Sequence, residues 1–150
     1  MESNNSDRKN LLLCLIGSGG SVKLKNEPID GSLKLMKEAF LLKTELGERF
    51  GYNFVPYDFG PCSFQIYEDL KELTNEGIVK EDKNKVFSVY TISSSYENTV
   101  MELIENLKPE VREAIFKIKK EFNELTYYAL ISYVYQKYPQ WTRASKFRLS

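Results

Sequence analysis

Four groupings in the sequence hold residue types that can do chemistry: two cysteines, a glycine cluster, a pair of carboxylates and a basic, aromatic C-terminal tail. Cys14 lies in the apolar run Leu11-Leu12-Leu13-Cys14-Leu15-Ile16 and Cys62 follows Gly60-Pro61, with no C-x-x-C spacing anywhere. Two such thiols make neither a zinc site nor a disulfide framework, so the expectation is a reduced, cytoplasmic chain. Gly17-Ser18-Gly19-Gly20 resembles a phosphate cradle only superficially. A P-loop closes on Lys-Ser/Thr, and Ser21-Val22-Lys23-Leu24 does not supply that step. The chain has no histidine, which removes Ser-His and Cys-His nucleophilic pairs, imidazole metal sites and the usual acid-base group near neutral pH. Asp58 and Glu68 could in principle share a proton, but nothing around them completes a catalytic constellation. We therefore expect no enzyme, and assign no catalytic residue, cofactor or metal ligand.

Charge narrows the partner classes. The 150 residues carry 21 Lys+Arg against 21 Asp+Glu, so the molecule as a whole does not attract nucleic acid or an anionic membrane. Any such binding must come from a local patch. The apolar run Leu11 to Ile16 falls far short of the roughly 20 residues a membrane helix needs, and no signal peptide is expected.

These side chains are positioned by a pattern that reads as mainly α with a little β (α+β). Polar residues Met1 to Asp7 are expected to fray, and a first helix runs from about Arg8 to the glycine cluster. Asp30 is placed to cap a second helix carrying Leu35, Met36, Ala39, Phe40, Leu42 and Leu46 on one face and ending near Gly47. Phe50 to Phe59 alternates as extended chain, turned by Gly60-Pro61. Ser63 then caps a third helix with Phe64, Tyr67, Leu70 and Leu73 inward, stopping at Gly77. Ile78-Val79 and Val86 to Ile92 form a β-hairpin across a charged turn. Ser94-x-x-Glu97 has the form of a capping box opening a fourth helix, with Val100, Leu103, Ile104 and Leu107 inward. Pro109 opens a fifth helix. Its Val111, Ile115, Ile118, Phe122 and Leu125 form a heptad seam open either to the chain's own core or to a second copy, and Lys119 lies among its C-terminal bases, suiting the helix dipole. A sixth helix, Tyr127 to Tyr138, is apolar on nearly every side and is expected to lie centrally. The expected organisation is one domain: a winged-helix-like part (8–92) with a small hairpin wing, a C-terminal three-helix segment (94–138) and a basic tail (139–150).

A helix followed at once by a hairpin is the order in which winged-helix domains place a recognition helix and its wing. Around it, Tyr57-Asp58-Phe59-Gly60-Pro61-Cys62-Ser63, then spaced leucines, then Gly77-Ile78-Val79, resembles the pattern Y-x-[FY]-G-P-x-S followed by G-[LI]-[IV] of the YwgA-like family. It is more distantly similar to the SocA/Panacea-type antitoxin domains. Upstream, Gly19-Gly20 and Ile29-Asp30-Gly31-Ser32-Leu33-Lys34-Leu35-Met36-Lys37 resemble the family's G-G and I-x-G-R-x-x-L-x-K segments, with Ser32 where Arg is expected. The resemblance implies a winged-helix-like fold and a regulatory or defence-associated role, Panacea-type relatives acting by binding a toxin. Physically, Gly60, Pro61, Ser63 and Gly77 read as turn and cap residues, and Tyr57 and Phe59 as core.

Two partner classes are then weighed. The outward face of the third helix, with Gln65, Glu68, Asp69 and Glu72, is acidic. From Pro61 to Ile92 four lysines face six acids, the wrong sign for phosphate. This favours a non-enzymatic intracellular regulatory module that binds a protein, antitoxin-like in character, through the acidic helix or the aromatic surface. The alternative is a winged-helix DNA-binding regulator contacting phosphate through Lys83 and Lys85 on the wing and Arg143, Lys146 and Arg148 on the tail. Trp141 is expected to pack back on the helices.

Overall fold

The run Leu11 to Ile16 is wholly buried because it forms the middle of a helix with neighbours on every side. In the computed structural model, which describes residues 2–20, 25–83 and 86–145, this is α1 (Glu2–Gly17). It packs against the helices and strand that close the fold from the C-terminal half. The helix continues back through the residues expected to fray, since propagation from an anchored turn needs no further apolar side chain. Its C-terminal end is closed from a distance. The Lys119 ammonium donates to the carbonyls of Leu15, Ile16 and Ser18 at 2.8, 2.9 and 2.8 Å, satisfying groups that a helix end leaves open. The glycine turn continues into Ser21 to Leu24, which lie outside the described residues.

After β1 (Ile29–Asp30), α2 (Ser32–Leu46) buries the six apolar residues its spacing predicts, and with them Lys34, Lys37 and Glu38. Asp30 does not cap this helix. It is held in the sheet, and Gly31, with φ of 101°, takes the cap position. A ribbon follows, β2 (Val55–Tyr57) paired with β3 (Gly60–Cys62), in which Pro56 faces Pro61 and Tyr57 faces Gly60. The turn is therefore at Asp58-Phe59, and Gly60-Pro61 belongs to a strand. Tyr57 and Phe59, expected in the core, are 46% and 37% exposed at the ribbon's tip.

Helix α3 (Phe64–Asn75) is rotated relative to the sequence expectation. It buries Ile66, Asp69, Leu70 and Leu73 and leaves Phe64 and Tyr67 facing outward. The strands β4 (Val79–Asp82) and β5 (Val89–Ile92) form the predicted hairpin, and β1 joins it to give the antiparallel order β1-β5-β4. A single 3-10 turn, Ser94–Tyr96, precedes α4 (Glu97–Glu105), and the capping box does not form: Glu97 accepts instead from the Asn26 side chain. Val100 and Ile104 are buried, with Leu103 and Leu107 packed at the core's edge.

In α5 (Pro109–Phe122) the heptad seam is spent inside the chain, against the core that α1 and α2 share. The last helix, α6 (Tyr127–Lys137), buries one face, Leu130, Ile131, Val134 and Tyr135, and leaves Tyr128 exposed. The central position belongs to α1. Beyond α6, Trp141 packs on Phe40 as expected, ring centroids 5.1 Å apart. No helix among the described residues is long and apolar enough to cross a membrane.

Candidate functional site

The two motif segments, which end at Lys37 and resume at Tyr57, meet at one surface cavity of about 200 Å³. Leu33, Met36 and Lys37 of α2 form one wall, and Tyr57 to Gly60 with Cys62 and Tyr67 form the rest. Gly60 lets the walls approach. Its φ is 95°, and a methyl group there would stand 2.9 Å from a Tyr135 ring carbon and 3.7 Å from Cε of Lys37, so a side chain would be both strained and blocked. Pro61 offers its carbonyl to the Lys37 ammonium at 3.4 Å. Burial raises the Tyr67 hydroxyl, and the side chain of Ser32, the residue standing in place of the expected Arg, pulls it the other way.

Lys37 is 1% exposed, and burial pulls its amine down to about 8, with Cys62 opposing. Cys62 and Cys14 are both free thiols, and burial raises both, Cys14 to about 12. Neither has the electropositive, exposed surroundings that make a thiolate at neutral pH. Above the cavity the Phe64 ring packs edge-on against Tyr57 at 5.0 Å. Tyr57, Phe59, Phe64 and Tyr67 thus form one exposed aromatic ridge from the ribbon tip to α3.

The acidic face of α3 is divided by the same rotation. Asp69 is 2% exposed and points inward, where Arg8 of α1 donates to it at 2.8 and 3.2 Å and the Tyr52 hydroxyl at 2.7 Å. Arg8 also stacks over the Tyr52 ring. Asp69 is a structural ion and leaves the candidate partner surface. Glu72 is exposed but paired with Lys9, and the Gln65 side chain accepts from the Asn53 backbone N–H. Glu68 is exposed.

Ser63 occupies the α3 cap position as expected, yet its hydroxyl makes no capping bond and has no partner among the described residues. Its backbone N–H meets the Met36 sulfur instead. Gly77, with φ of 79°, closes α3 as predicted, its N–H bonding the Thr74 carbonyl. No cluster of metal-ligating side chains occurs among the described residues.

The family model for the SocA-like antitoxin Panacea domain matches residues 38–142. The chain belongs to this family. No curated protein and no solved structure matches it. The Panacea match takes in the ribbon, the aromatic ridge and α3, and it continues through α4, α5 and α6, so the C-terminal helices are part of the family domain. In this Panacea chain Lys83, beside the hairpin turn, and Arg143, after α6, are exposed. Lys85, Lys146 and Arg148 lie outside the described residues.

Sequence reasoning missed a set of buried charges: Lys37 at the cavity, Lys119 at the end of α1, and Glu38 in the core within the influence of Lys119 and Lys34. One signal was available. It was not sufficient: Lys34, Lys37 and Glu38 lie three and four positions apart, in line with Glu45, so in sequence they read as an ordinary polar face of α2 although Leu41 interrupts it.

Proposed function

We propose that this antitoxin-like protein is a non-enzymatic regulator that docks a protein partner on the aromatic ridge of Tyr57, Phe59, Phe64 and Tyr67, with Glu68 on its border. One observation carries the reading: four large aromatic side chains, 36% to 49% exposed, stand together at the ribbon tip and α3. Exposed aromatic clusters of this kind are disfavoured on a free surface and form the energetic centre of protein interfaces. The ridge takes over the role expected of the acidic helix face, because Asp69 is internal and Glu72 is paired. The Y-x-[FY]-G-P-x-S run further supports placing the chain in the YwgA-like branch, and the two unpaired thiols support an intracellular site.

The element order α1, β1, α2, α3, β4, β5 with strands arranged β1-β5-β4 supports a winged-helix-like scaffold, and with it the alternative of DNA binding. The surface of α3 argues against that alternative, since Glu68, Glu72 and Glu76 accompany Lys71 on the face a DNA groove would meet.

The test is capture from the native host by the tagged chain, with and without nuclease, alongside a Tyr57→Ser/Phe64→Ser double variant. A protein retained after nuclease and lost with the variant, whose urea midpoint is unchanged, is the expected result. Capture that vanishes with nuclease, or that ignores the variant, overturns the proposal.

A further inference from the structure

The apolar surface does not stop at the ridge. Leu33 on α2 forms a wall of the ridge cavity and also of a second hollow, of about 250 Å³, which reaches Phe87 just before β5. Asp30, Lys34, Phe87 and Tyr127 belong both to that hollow and to a third, of about 630 Å³, which ends on Glu124 and Leu125. Three hollows thus follow one another along the N-terminal end of α2. Phe87 is 53% exposed, yet the backbone holds it in place. Gly31 donates its N–H to the neighbouring Ser88 carbonyl at 2.7 Å, and a methyl group on Gly31 would stand 3.5 Å from Cβ of Phe87.

Charge selects what can lie there. Asp30 follows the buried Ile29 in β1 and faces outward, and Glu124 is exposed just beyond α5. Neither carboxylate has a hydrogen bond or an ion pair among the described residues. The cation in the same lining, Lys34, is 6% exposed and donates to the Asn123 carbonyl, so it does not answer them at the surface. Unpaired acids beside aromatic rings repel phosphate and attract a cation. A guanidinium stacks on a ring face and donates to carboxylates through its edge at the same time, whereas an ammonium has no flat face to stack.

We infer that the partner segment docked on the aromatic ridge continues along this trough and lays an arginine side chain on Phe87, at the end lined by Asp30 and Glu124. The inference rests on the docking reading above and adds the chemistry of its far anchor.

The test uses the full chain with ¹³C-labelled phenylalanine and tyrosine rings. N-acetyl-arginine methylamide is compared with its uncharged citrulline counterpart. The Phe87 signals, identified by their loss in Phe87→Leu, are expected to shift at an arginine concentration about fivefold below that needed for citrulline. Asp30→Asn/Glu124→Gln, with an unchanged urea midpoint, is expected to remove that difference. If the midpoint falls, added salt on the wild-type chain serves in its place and should weaken the arginine response alone. Equal responses to the two probes, none to either, or a difference that survives both treatments overturns the inference. So does an arginine response seen only in Lys85→Gln, because the chain's own lysine would then hold the site. Partner capture separates the anchor from the docking reading. If Tyr57→Ser/Phe64→Ser abolishes capture and Asp30→Asn/Glu124→Gln does not, the ridge stands and the arginine anchor falls. If the charge variant abolishes capture and the ridge variant does not, the acidic end of the trough stands and the docking reading falls.

Discussion

Replacing Glu38 by Gln should remove a pH dependence of stability that the wild-type chain cannot escape. Glu38 is fully buried in α2, and neither carboxylate oxygen has a partner among the described residues. Burial pushes its carboxyl from 4.5 up to about 8, against the pull of Lys119 and Lys34. The folded protein therefore keeps a proton that the unfolded chain releases near pH 4.5. Its contribution is fully present below that pH and is lost as pH rises toward 8. Between about pH 5 and about pH 7.5 the loss is on the order of 3 kcal/mol. The chain has no histidine to titrate in this window. Lys37 and Lys119, both lowered by burial to about 8, act with the opposite sign and above it: there the unfolded chain holds the extra protons, so stability recovers as pH climbs toward 10.5. Urea denaturation followed by far-UV circular dichroism, in steps across this range, measures the effect. Wild type should weaken steadily up to pH 7.5, while Glu38→Gln should stay nearly level and become the more stable of the two at the upper end. A wild-type profile that is flat or rising, or a Gln variant with the same slope, would refute the assignment of a buried, protonated Glu38.

The same denaturation assay separates the two acids of α3. Asp69→Ala, which leaves Arg8 and the Tyr52 hydroxyl without their partner, should cost about 3–5 kcal/mol. Glu72→Ala, which breaks an exposed pair with Lys9, should cost below about 1 kcal/mol; comparable losses would mean that Asp69 faces solvent. Gly60→Ala should destabilise by about 1–3 kcal/mol and displace the Tyr135 ring signals. Gly77→Ala, at a similar positive φ but with open space around it, should cost less and leave that ring undisturbed.

The helices α2, α4, α5 and α6 and the β4–β5 hairpin were legible because their signals are local: apolar spacing, Pro109, the glycine after α2, a β-branched run. What was not legible depended on partners far along the chain. Two residues, Ile29 and Asp30, carry no strand signal of their own and become β1 only because β5 pairs with them. The rotation of α3 turns on Asp69, which reads as a surface acid until Arg8, 61 positions earlier, is brought against it. Phe64 and Tyr67 were assigned inward on hydrophobicity alone, which does not foresee that Asp69 takes a place on the buried face and turns them outward. Lys119 looks like an ordinary base near the end of a helix, and its three acceptors lie at the other end of the sequence. At the cavity, the motif was visible as residues, but the meeting of Lys37 with the Pro61 carbonyl was not.

The closure of α1 by Lys119 also sets an order of events during synthesis. The first helix leaves the ribosome with its apolar middle and its final carbonyls exposed, and the lysine that satisfies them follows about a hundred residues later. A fragment stopped after the β4–β5 hairpin would contain α1, α2, α3 and all three strands of the β1-β5-β4 sheet and still lack the group that seals its central rod. Excised at that point, the N-terminal part should behave as an unfinished core, sticky and prone to associate, and not as a small domain in its own right.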